Sequence, residues 1–351
     1  MRTAALAVRI DRASGPRPPH LGTIDRADWQ LFKSRFIRPD GELIDNFSHL
    51  SHSEGQGYAM LLAVAAGDRT AFDDAWRWTR TKLQHDHDAL LAWKWRPNNH
   101  GGGAVGDEND AADGDILVAW ALHRAALRWH DPAYDRAARP IAHDILKKLV
   151  RDIGGFAVLL PGEHGFIHDG RITANLSYWI FPAFQALNRI EPSLRWYQLR
   201  RSGFYLLAKA RFGKAKLPPD WVVLSAAPTV GLDVKLSANR PLSGYDAIRI
   251  PLYLMWDGEA SPGNIAPFLR FWHGARAGEI PATVNLVTGA TAPYAMLPGM
   301  AAIVDAVEAR ASWSPRVSAT HISPLPPLQN DHDYYSAALN LLVRLALSET
   351  S

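Results

Sequence analysis

Apolar and polar residues define two kinds of helical segment that alternate along this chain. Residues 58–66 (YAMLLAVAA) are apolar on every side, as in a buried helix, whereas residues 71–83 carry one apolar stripe opposite charged positions. The pattern recurs where the nearly apolar residues 116–129 are followed by the amphipathic residues 134–150. We therefore predict inner helices that alternate with half-exposed outer helices.

This alternation continues toward the end of the chain. Further inner helices are predicted at residues 176–187 and 248–256, outer partners at 194–212 and 264–273, and two last helices at 294–307 and 334–347. Short segments bounded by Gly, Pro or Asp predict hairpins at residues 156–160, 165–168 and 222–236. The pattern predicts an all-α fold, an (α/α)6 barrel or toroid with small β-hairpin decorations. An open helical array and a two-domain α protein are the alternatives.

The first residues of the chain differ from the rest. Residues 1–22 are basic, contain proline and lack a hydrophobic period, so we expect a mobile N-terminal extension before a first helix near residues 28–36. Residues 23–351 are predicted to form one domain. The apolar run at residues 4–8 is shorter than the core of a secretory signal, and no stretch of about 18 apolar residues predicts a transmembrane helix.

Composition excludes several functional classes. With 47% hydrophobic and 21% charged residues and a net charge of +3, the 351-residue chain has the composition of a folded protein. No block of Lys or Arg forms the positive surface that nucleic-acid-binding proteins use, so nucleic acid is not an expected partner. The absence of cysteine excludes disulfides, thiol nucleophiles, iron–sulfur clusters and cysteine zinc sites.

An acidic residue opens the first predicted inner helix. Glu54 lies in the segment SHSEGQGYAM of residues 51–60, whose Ser residues match the spacing of a capping box with Glu54 or Gln56. A helix start is therefore one interpretation. Gly55 and Gly57 are costly in a helix, however, and indicate that another group approaches the backbone closely.

A second acidic segment opens the next inner helix. Residues 107–115 (DENDAADGD) hold five carboxylates, more than the favourable charge–dipole interaction at a helix N-terminus explains. An EF-hand calcium loop is excluded because Ala111 and Val118 stand where ligands are needed. An adventitious metal remains an alternative, and Asp113 is the candidate functional acid.

A third acid, Asp246, precedes the apolar residues 250–256 in the segment SGYDAIR. By itself it reads as a helix cap with Arg249 as its helical partner. Taken together, Glu54, Asp113 and Asp246 each lie at the N-terminal end of a predicted inner helix. In a toroid these ends meet at one face, so we expect the three acids to share a cleft.

Aromatic residues lie in or beside the same polar segments. Flat aromatic faces recognise the C–H surfaces of sugars, although core packing is the alternative for each single residue. The candidates for sugar binding are Trp93, Trp95, Tyr178, Tyr245, Tyr334 and Tyr335. Acids and aromatics in one cleft are typical of a glycan-binding groove.

These segments resemble the acidic motifs of glycoside hydrolase family 8. The resemblance rests on SEGQGYAM (residues 53–60), AADGD (111–115) and YDAIR (245–249), and it extends from about Trp29 to Leu347. Ala112 stands where the family usually has Ser or Thr, and the NLSY of residues 175–178 matches a further motif loosely. Within the family the chain is similar to bacterial endo-β-1,4-glucanases associated with cellulose synthesis.

The resemblance implies an (α/α)6 barrel, hydrolysis with inversion, and no cofactor or metal. It implies Glu54 as general acid, Asp246 as general base, and Asp113 as a substrate-binding acid, with Arg249 among the substrate-binding residues. The implied substrate is a cellulose-type β-glucan, and chitosan, xylan and mixed-linkage glucan are the alternative substrates. The alternative functions are a non-catalytic glycan-binding protein and a polysaccharide lyase. The implied location is periplasmic or secreted, beside a cellulose synthase complex.

Inversion makes two physical demands on the acids. The two carboxyls must be about 6.5–9.5 Å apart to admit a water molecule, against about 5 Å in a retaining enzyme. Glu54 must also hold a proton although the helix N-terminus favours its ionised form. We expect an ionised Asp113 and burial under bound glucan to raise the pKa of Glu54.

Overall fold

The computed structural model describes residues 21–98, 102–275, 280–312 and 325–350, in which eleven α-helices are found. They are α1 (Arg26–Phe36), α2 (Ser53–Ala66), α3 (Arg69–Lys82), α4 (Ala112–Trp129), α5 (Pro132–Asp144), α6 (Phe181–Ile190), α7 (Leu194–Lys209), α8 (Arg249–Trp256), α9 (Pro262–Gly274), α10 (Pro298–Ser312) and α11 (Tyr334–Thr350). One hydrophobic core runs through them from Ile24 to Ala346.

Six of these helices form a closed ring. Helix α2 packs against α4, α4 against α6, α6 against α8, α8 against α10, α10 against α11, and α11 returns to α2. Outside the ring, α3 packs on α2, α5 on α4, α7 on α6 and α9 on α8. The predicted (α/α)6 barrel is confirmed, because in an open array the first and last helices would not meet.

Glycines bring the first two ring helices unusually close. A Cβ atom at Gly57 would lie 2.5 Å from Leu117 Cβ, and one at Gly114 would lie 2.1 Å from Ser53 Oγ. Both distances are too short for a side chain, so α2 and α4 pack backbone to side chain at their starts. The close approach predicted from Gly57 is confirmed, and it places Glu54 next to Asp113.

Short strands lead into the ring helices. An antiparallel sheet holds β1 (Ser51–His52), β2 (Ala92–Pro97) and β3 (Gly103–Asp110), where β1 continues directly into α2 and β3 precedes α4. The remaining strands are the hairpin β4 (Val150–Ile153) and β5 (Phe156–Leu159), the sheet β6 (Ile167–His168), β7 (Arg171–Asn175), β8 (Trp221–Ala226) and β9 (Leu232–Leu236), and the pair β10 (Leu242–Ser243) and β11 (Val284–Asn285).

Prolines explain where the predicted helix boundaries are wrong. The predicted helix at residues 176–187 divides into a 3-10 turn, Leu176–Tyr178, and α6, which begins just before Pro182. The predicted helix at residues 294–307 begins only at Pro298. A proline suits the first turn of a helix, where its missing N–H costs no hydrogen bond, so α6 places Pro182 in its first turn and α10 begins at Pro298.

Most of the predicted N-terminal extension lies outside the described residues. Its last residue, Gly22, donates from its backbone N–H to Glu349 Oε1 at 2.9 Å, near the end of α11. The division into an extension and one domain stays a prediction. None of the helices in the described ranges combines the length and apolar character that a membrane span requires.

Candidate active site

A cleft of about 660 Å³ opens at the N-terminal ends of three ring helices. Glu54 lies in the first turn of α2, Asp113 in the first turn of α4, and Asp246 in the turn before α8. All three line this cleft, as the sequence predicted. The other lining residues include His52, Trp93, Tyr178, Tyr245, Arg249, Tyr334, Tyr335, Asp45, Phe47, Tyr294 and Asp333.

Glu54 is held by a helix start that differs from the predicted capping box. The N-cap residue of α2 is His52, whose Nδ1 accepts the N–H of Gly55 at 3.2 Å. Because Nδ1 accepts, the proton of a neutral ring lies on Nε2, which donates to Tyr334 Oη at 3.1 Å. The capping-box interpretation is therefore wrong, and Glu54 is left free to face the cleft.

Asp113 is the one acid of the 107–115 segment that lines the cleft. Asp110 Oδ1 accepts the N–H of Glu163 at 2.8 Å, and Asp115 Oδ1 accepts the N–H of Leu91 at 2.9 Å. These two buried acids hold the surrounding loops. The carboxylates of this segment therefore serve two purposes, since Asp110 and Asp115 bind backbone amides and Asp113 faces the cleft.

Metal-ligand side chains come together at another place. Among the described residues, one group of three, His85, His87 and Asp88, has donor atoms within 4.8 Å of one another. The Lys148 ammonium contacts Asp88 Oδ2 at 2.6 Å, so a cation of the chain already occupies this carboxylate.

Arg249 joins the three acids of the cleft. Its side chain is 1% exposed, its Nη1 lies 2.9 Å from Glu54 Oε2 and 3.2 Å from Asp113 Oδ2, and its Nη2 lies 2.9 Å from Asp246 Oδ1. The same nitrogens donate to two hydroxyls, Tyr58 Oη at 3.2 Å and Ser177 Oγ at 2.8 Å. The predicted pairing of Asp246 with Arg249 is confirmed, and the guanidinium fixes the other two acids as well.

The pKa values of the three acids shift in different directions. Burial alone would raise the pKa of Glu54, but Arg249, His52 and a hydrogen bond with Asp113 together lower it. Burial and the charge of Glu54 raise the pKa of Asp113 well above its usual value. Burial also raises the pKa of Asp246, although Arg249 opposes this shift. Of this pair, Asp113 is therefore the carboxyl that keeps a proton to the higher pH when the cleft is empty. The expectation that Asp113 raises the pKa of Glu54 is wrong for this state.

Most of the predicted aromatic residues line the cleft. Trp93, Tyr178, Tyr245 and Tyr334 do so, with Tyr245 37% exposed and Tyr334 buried beside His52. The prediction for Trp95 is wrong, because this residue does not line the cleft. It is buried, and its ring lies 5.8 Å from that of Trp78. In a regular strand Trp93 and Trp95 would share a face, but register shifts on both sides of Lys94 separate them.

Tyr335, another of the predicted aromatic residues, also lines the cleft, and its hydroxyl donates to the backbone carbonyl of Tyr245 at 2.5 Å.

Several other cleft residues were not predicted from the sequence. Asp45, Phe47 and Asp333 come from loops without a motif, so nothing local marked them. His52 stands beside the first motif, and its position directly before the helix is the signal that was available.

A sequence model of the family described as Glycosyl hydrolases family 8 matches residues 20–349. The chain belongs to this family. It is 38% identical to a probable endoglucanase of Novacetimonas hansenii over 92% of this chain and 90% of that protein. It is also 38% identical to an endoglucanase of Cellulomonas uda, over 79% of this chain and 76% of that one. The solved endo-beta-1,4-glucanase CMCax from Acetobacter xylinum is similar at a TM-score of 0.83 and 38% identity, covering 93% of this chain and 98% of that one.

Proposed function

We propose that this family 8 glycosyl hydrolase cleaves internal β-1,4-glucosidic bonds of cellulose-type glucans with inversion. Glu54 is the general acid and Asp246 the general base. The observation that carries the proposal is the meeting of Glu54, Asp113 and Asp246 on the buried guanidinium of Arg249, inside an aromatic cleft. The printed names of the 38% identical relatives, endoglucanase and endo-β-1,4-glucanase, support the substrate class.

The contacts with Arg249 set an upper limit on the separation of the acid and the base. Glu54 and Asp246 each contact a different Nη atom of Arg249 at 2.9 Å. Since these nitrogens are about 2.3 Å apart in a planar guanidinium, the contacting oxygens are at most about 8 Å apart. This limit admits the range of about 6.5–8 Å, which suits an inverting pair, and the anomer of the first product distinguishes it from the shorter separation of about 5 Å in a retaining pair.

Solvent access supports the assignment of roles. The side chains of Glu54 and Asp246 are 20% and 29% exposed, whereas that of Asp113 is 2% exposed. Glu54 and Asp246 can therefore reach the scissile bond and the attacking water. Asp113 lies beneath them, where it acts on Glu54 and on a bound sugar.

In the reaction Asp246 removes a proton from a water molecule, whose oxygen attacks the anomeric carbon from the face opposite the leaving group. Glu54 gives its proton to the departing glycosidic oxygen. Arg249 favours the ionised form of Asp246, because its charge opposes the rise that burial causes in the pKa of this carboxyl. Bound glucan shields Glu54 from water and disfavours its charge, so the proton held by Asp113 passes to Glu54 as the cleft fills.

The cleft aromatics bind the sugar chain. Trp93, Tyr178, Tyr245 and Tyr334 offer ring faces and polar edges to pyranose units, as sugar recognition requires. Arg249 serves substrate binding through the carboxylates that it orients. The three carboxylates make the cleft unfavourable for a uronic acid, which argues against a polysaccharide lyase.

A substrate panel tests the proposal. Purified protein is incubated with carboxymethylcellulose, mixed-linkage glucan, xylan and chitosan, and reducing ends and product sizes are measured beside the Asp246→Asn variant. The expected result is rapid release of reducing ends from carboxymethylcellulose, as substituted gluco-oligosaccharides of mixed length, by the wild type alone. Release of reducing ends from xylan or chitosan alone would show that the proposed substrate class is wrong. Release from none of the four would favour a glycan-binding protein without hydrolase activity.

The finer statements about cellular context also belong to this proposal. A periplasmic or secreted location and a place beside a cellulose synthase complex follow from the resemblance to endoglucanases associated with cellulose synthesis. Fractionation of the native host, followed by detection of this chain with an antibody, tests the location. Its recovery with the cytoplasmic fraction alone would contradict both statements.

A further inference from the structure

A carboxyl outside the three motifs holds the turn that carries Asp246. Asp220 lies directly before β8, and its Oδ1 accepts the N–H of Gly244 at 2.9 Å and that of Ala247 at 2.8 Å. These two amides flank Asp246 on either side. The backbone N–H of Asp220 donates to Leu242 O at 2.8 Å, so the residue is itself tied to the strand that leads into the turn.

The other side-chain contacts of the turn reach different atoms. Tyr335 Oη donates to Tyr245 O at 2.5 Å, and Arg249, Asn175 and Trp221 form hydrogen bonds with the carboxylate of Asp246. Ile248 is the N-cap residue of α8, and its side chain offers no hydrogen-bond acceptor, so the helix has no side-chain cap of its own. Backbone bonds from Ile248 N to Gly244 O and from Arg249 N to Asp246 O close the turn at 3.0 and 3.1 Å. Asp220, from the position before β8, therefore acts as an N-cap side chain usually does. It accepts hydrogen bonds from two backbone amides that would otherwise lack a partner.

The ionisation of Asp220 supports a coupling with Asp246. Burial and the nearby charge of Asp246 raise the pKa of Asp220 to about 7, while Arg249 acts in the opposite direction. At pH 6 its carboxyl is therefore mostly protonated, and an oxygen of the largely neutral group accepts both amides. An asparagine amide has the same shape and the same acceptor oxygen, which makes Asp220→Asn a close mimic at this pH.

We propose that Asp220 is a positioning residue for Asp246, which fixes the base against the attacking water by binding the backbone amides on both sides of it. This inference rests on the proposed function, because it presupposes that Asp246 is the base. A displacement of about 1 Å at a reacting group can reduce turnover about 100-fold. Losing this support therefore lowers turnover and leaves sugar binding intact.

The test compares Asp220→Ala, Asp220→Asn and the wild type at pH 6 on a cello-oligosaccharide and on β-cellobiosyl fluoride. Fluoride leaves without a proton, so its hydrolysis needs the base and not the acid. We expect Asp220→Ala to lose about 100-fold in kcat on both substrates with KM unchanged. Asp220→Asn should restore kcat to near the wild-type value.

A matched control separates positioning from loss of stability. Asp68 also accepts a backbone N–H, that of Ala71 at 3.1 Å, at the start of α3 outside the cleft. Asp68→Ala should lower the melting temperature and leave kcat unchanged. Normal kcat in Asp220→Ala, equal losses in Asp220→Ala and Asp220→Asn, or an equal loss in Asp68→Ala would each overturn the inference.

The same assay distinguishes failure of the inference from failure of the proposed function. Fluoride release should persist in Glu54→Gln and be lost in Asp246→Asn. If the wild type releases no fluoride, or Asp246→Asn still releases it, the proposed function is wrong. If these results hold and Asp220→Ala remains fully active, the positioning role alone is wrong.

Discussion

Replacing Arg249 by lysine keeps the buried positive charge but removes the fork that contacts Glu54 and Asp246 at the same time. The two contacts of 2.9 Å are made by different Nη atoms, and a single ammonium cannot reproduce this geometry. A hydrogen bond to a charged group contributes about 1.5–3 kcal/mol, so losing one of them is a large change. The pKa of Asp246, which Arg249 lowers against the effect of burial, should rise.

The consequence is a shift in the pH dependence of Arg249→Lys. The presence of an opposite charge at this range changes a carboxyl pKa by about 1–3 units. Lysine keeps the charge but cannot hold it at 2.9 Å from both carboxylates, so only part of this effect is lost and the acidic limb of kcat/KM should move to higher pH by about one unit. The base must be ionised, and each unit costs about tenfold in activity well below its pKa. Steady-state rates on a soluble cello-oligosaccharide between pH 4 and 9 measure the limb.

A second arginine provides the matched control. Arg200 also bridges two carboxylates, Asp257 at 2.6 Å and Glu259 at 2.8 Å, and lies outside the cleft. Arg200→Lys should leave the limb where it is in the wild type. An Arg249→Lys enzyme with a wild-type acidic limb and wild-type kcat would refute the reasoning about Asp246.

Two further predictions concern the acids themselves. Glu54→Gln and Asp246→Asn should each remove nearly all hydrolysis of cellulose-type substrate while far-ultraviolet circular dichroism and melting temperature stay near wild type; substantial turnover in either variant would contradict its assigned role. Asp113→Asn should move the basic limb of kcat/KM to lower pH. In the variant Glu54 alone must hold the catalytic proton, and Arg249 lowers the pKa of Glu54, whereas in the wild type the raised pKa of Asp113 keeps a proton in the pair to higher pH. An unchanged basic limb would remove Asp113 from control of the acid.

The arrangement of the acids could be predicted from local patterns. Glu54 and Asp113 each stand at the start of a segment with a buried-helix pattern, and ring closure brings such starts to one face. The local pattern identifies Arg249 only as the helical partner of Asp246, because residues three apart on a helix are neighbours, and the family resemblance adds a role in substrate binding. Its contacts with Glu54 and Asp113 join distant parts of the chain, and no local pattern contains that information.

The remaining errors have local physical causes. The β-bulges around Lys94 turn Trp95 into the core, and a period-two reading assumes a strand without bulges. The distribution of the proton between Glu54 and Asp113 depends on the guanidinium 2.9 Å from one and 3.2 Å from the other. The interaction of Glu54 with the dipole of its own helix does not include the guanidinium of Arg249, which comes from a different helix.

The stereochemistry of the first product tests most directly whether Glu54 and Asp246 act on opposite faces of one glycosidic bond. Proton NMR of a soluble β-1,4-gluco-oligosaccharide, recorded in the first minutes of hydrolysis before mutarotation, resolves the new reducing end. The α-anomer is predicted to appear first. Initial formation of the β-anomer would contradict the inverting pair.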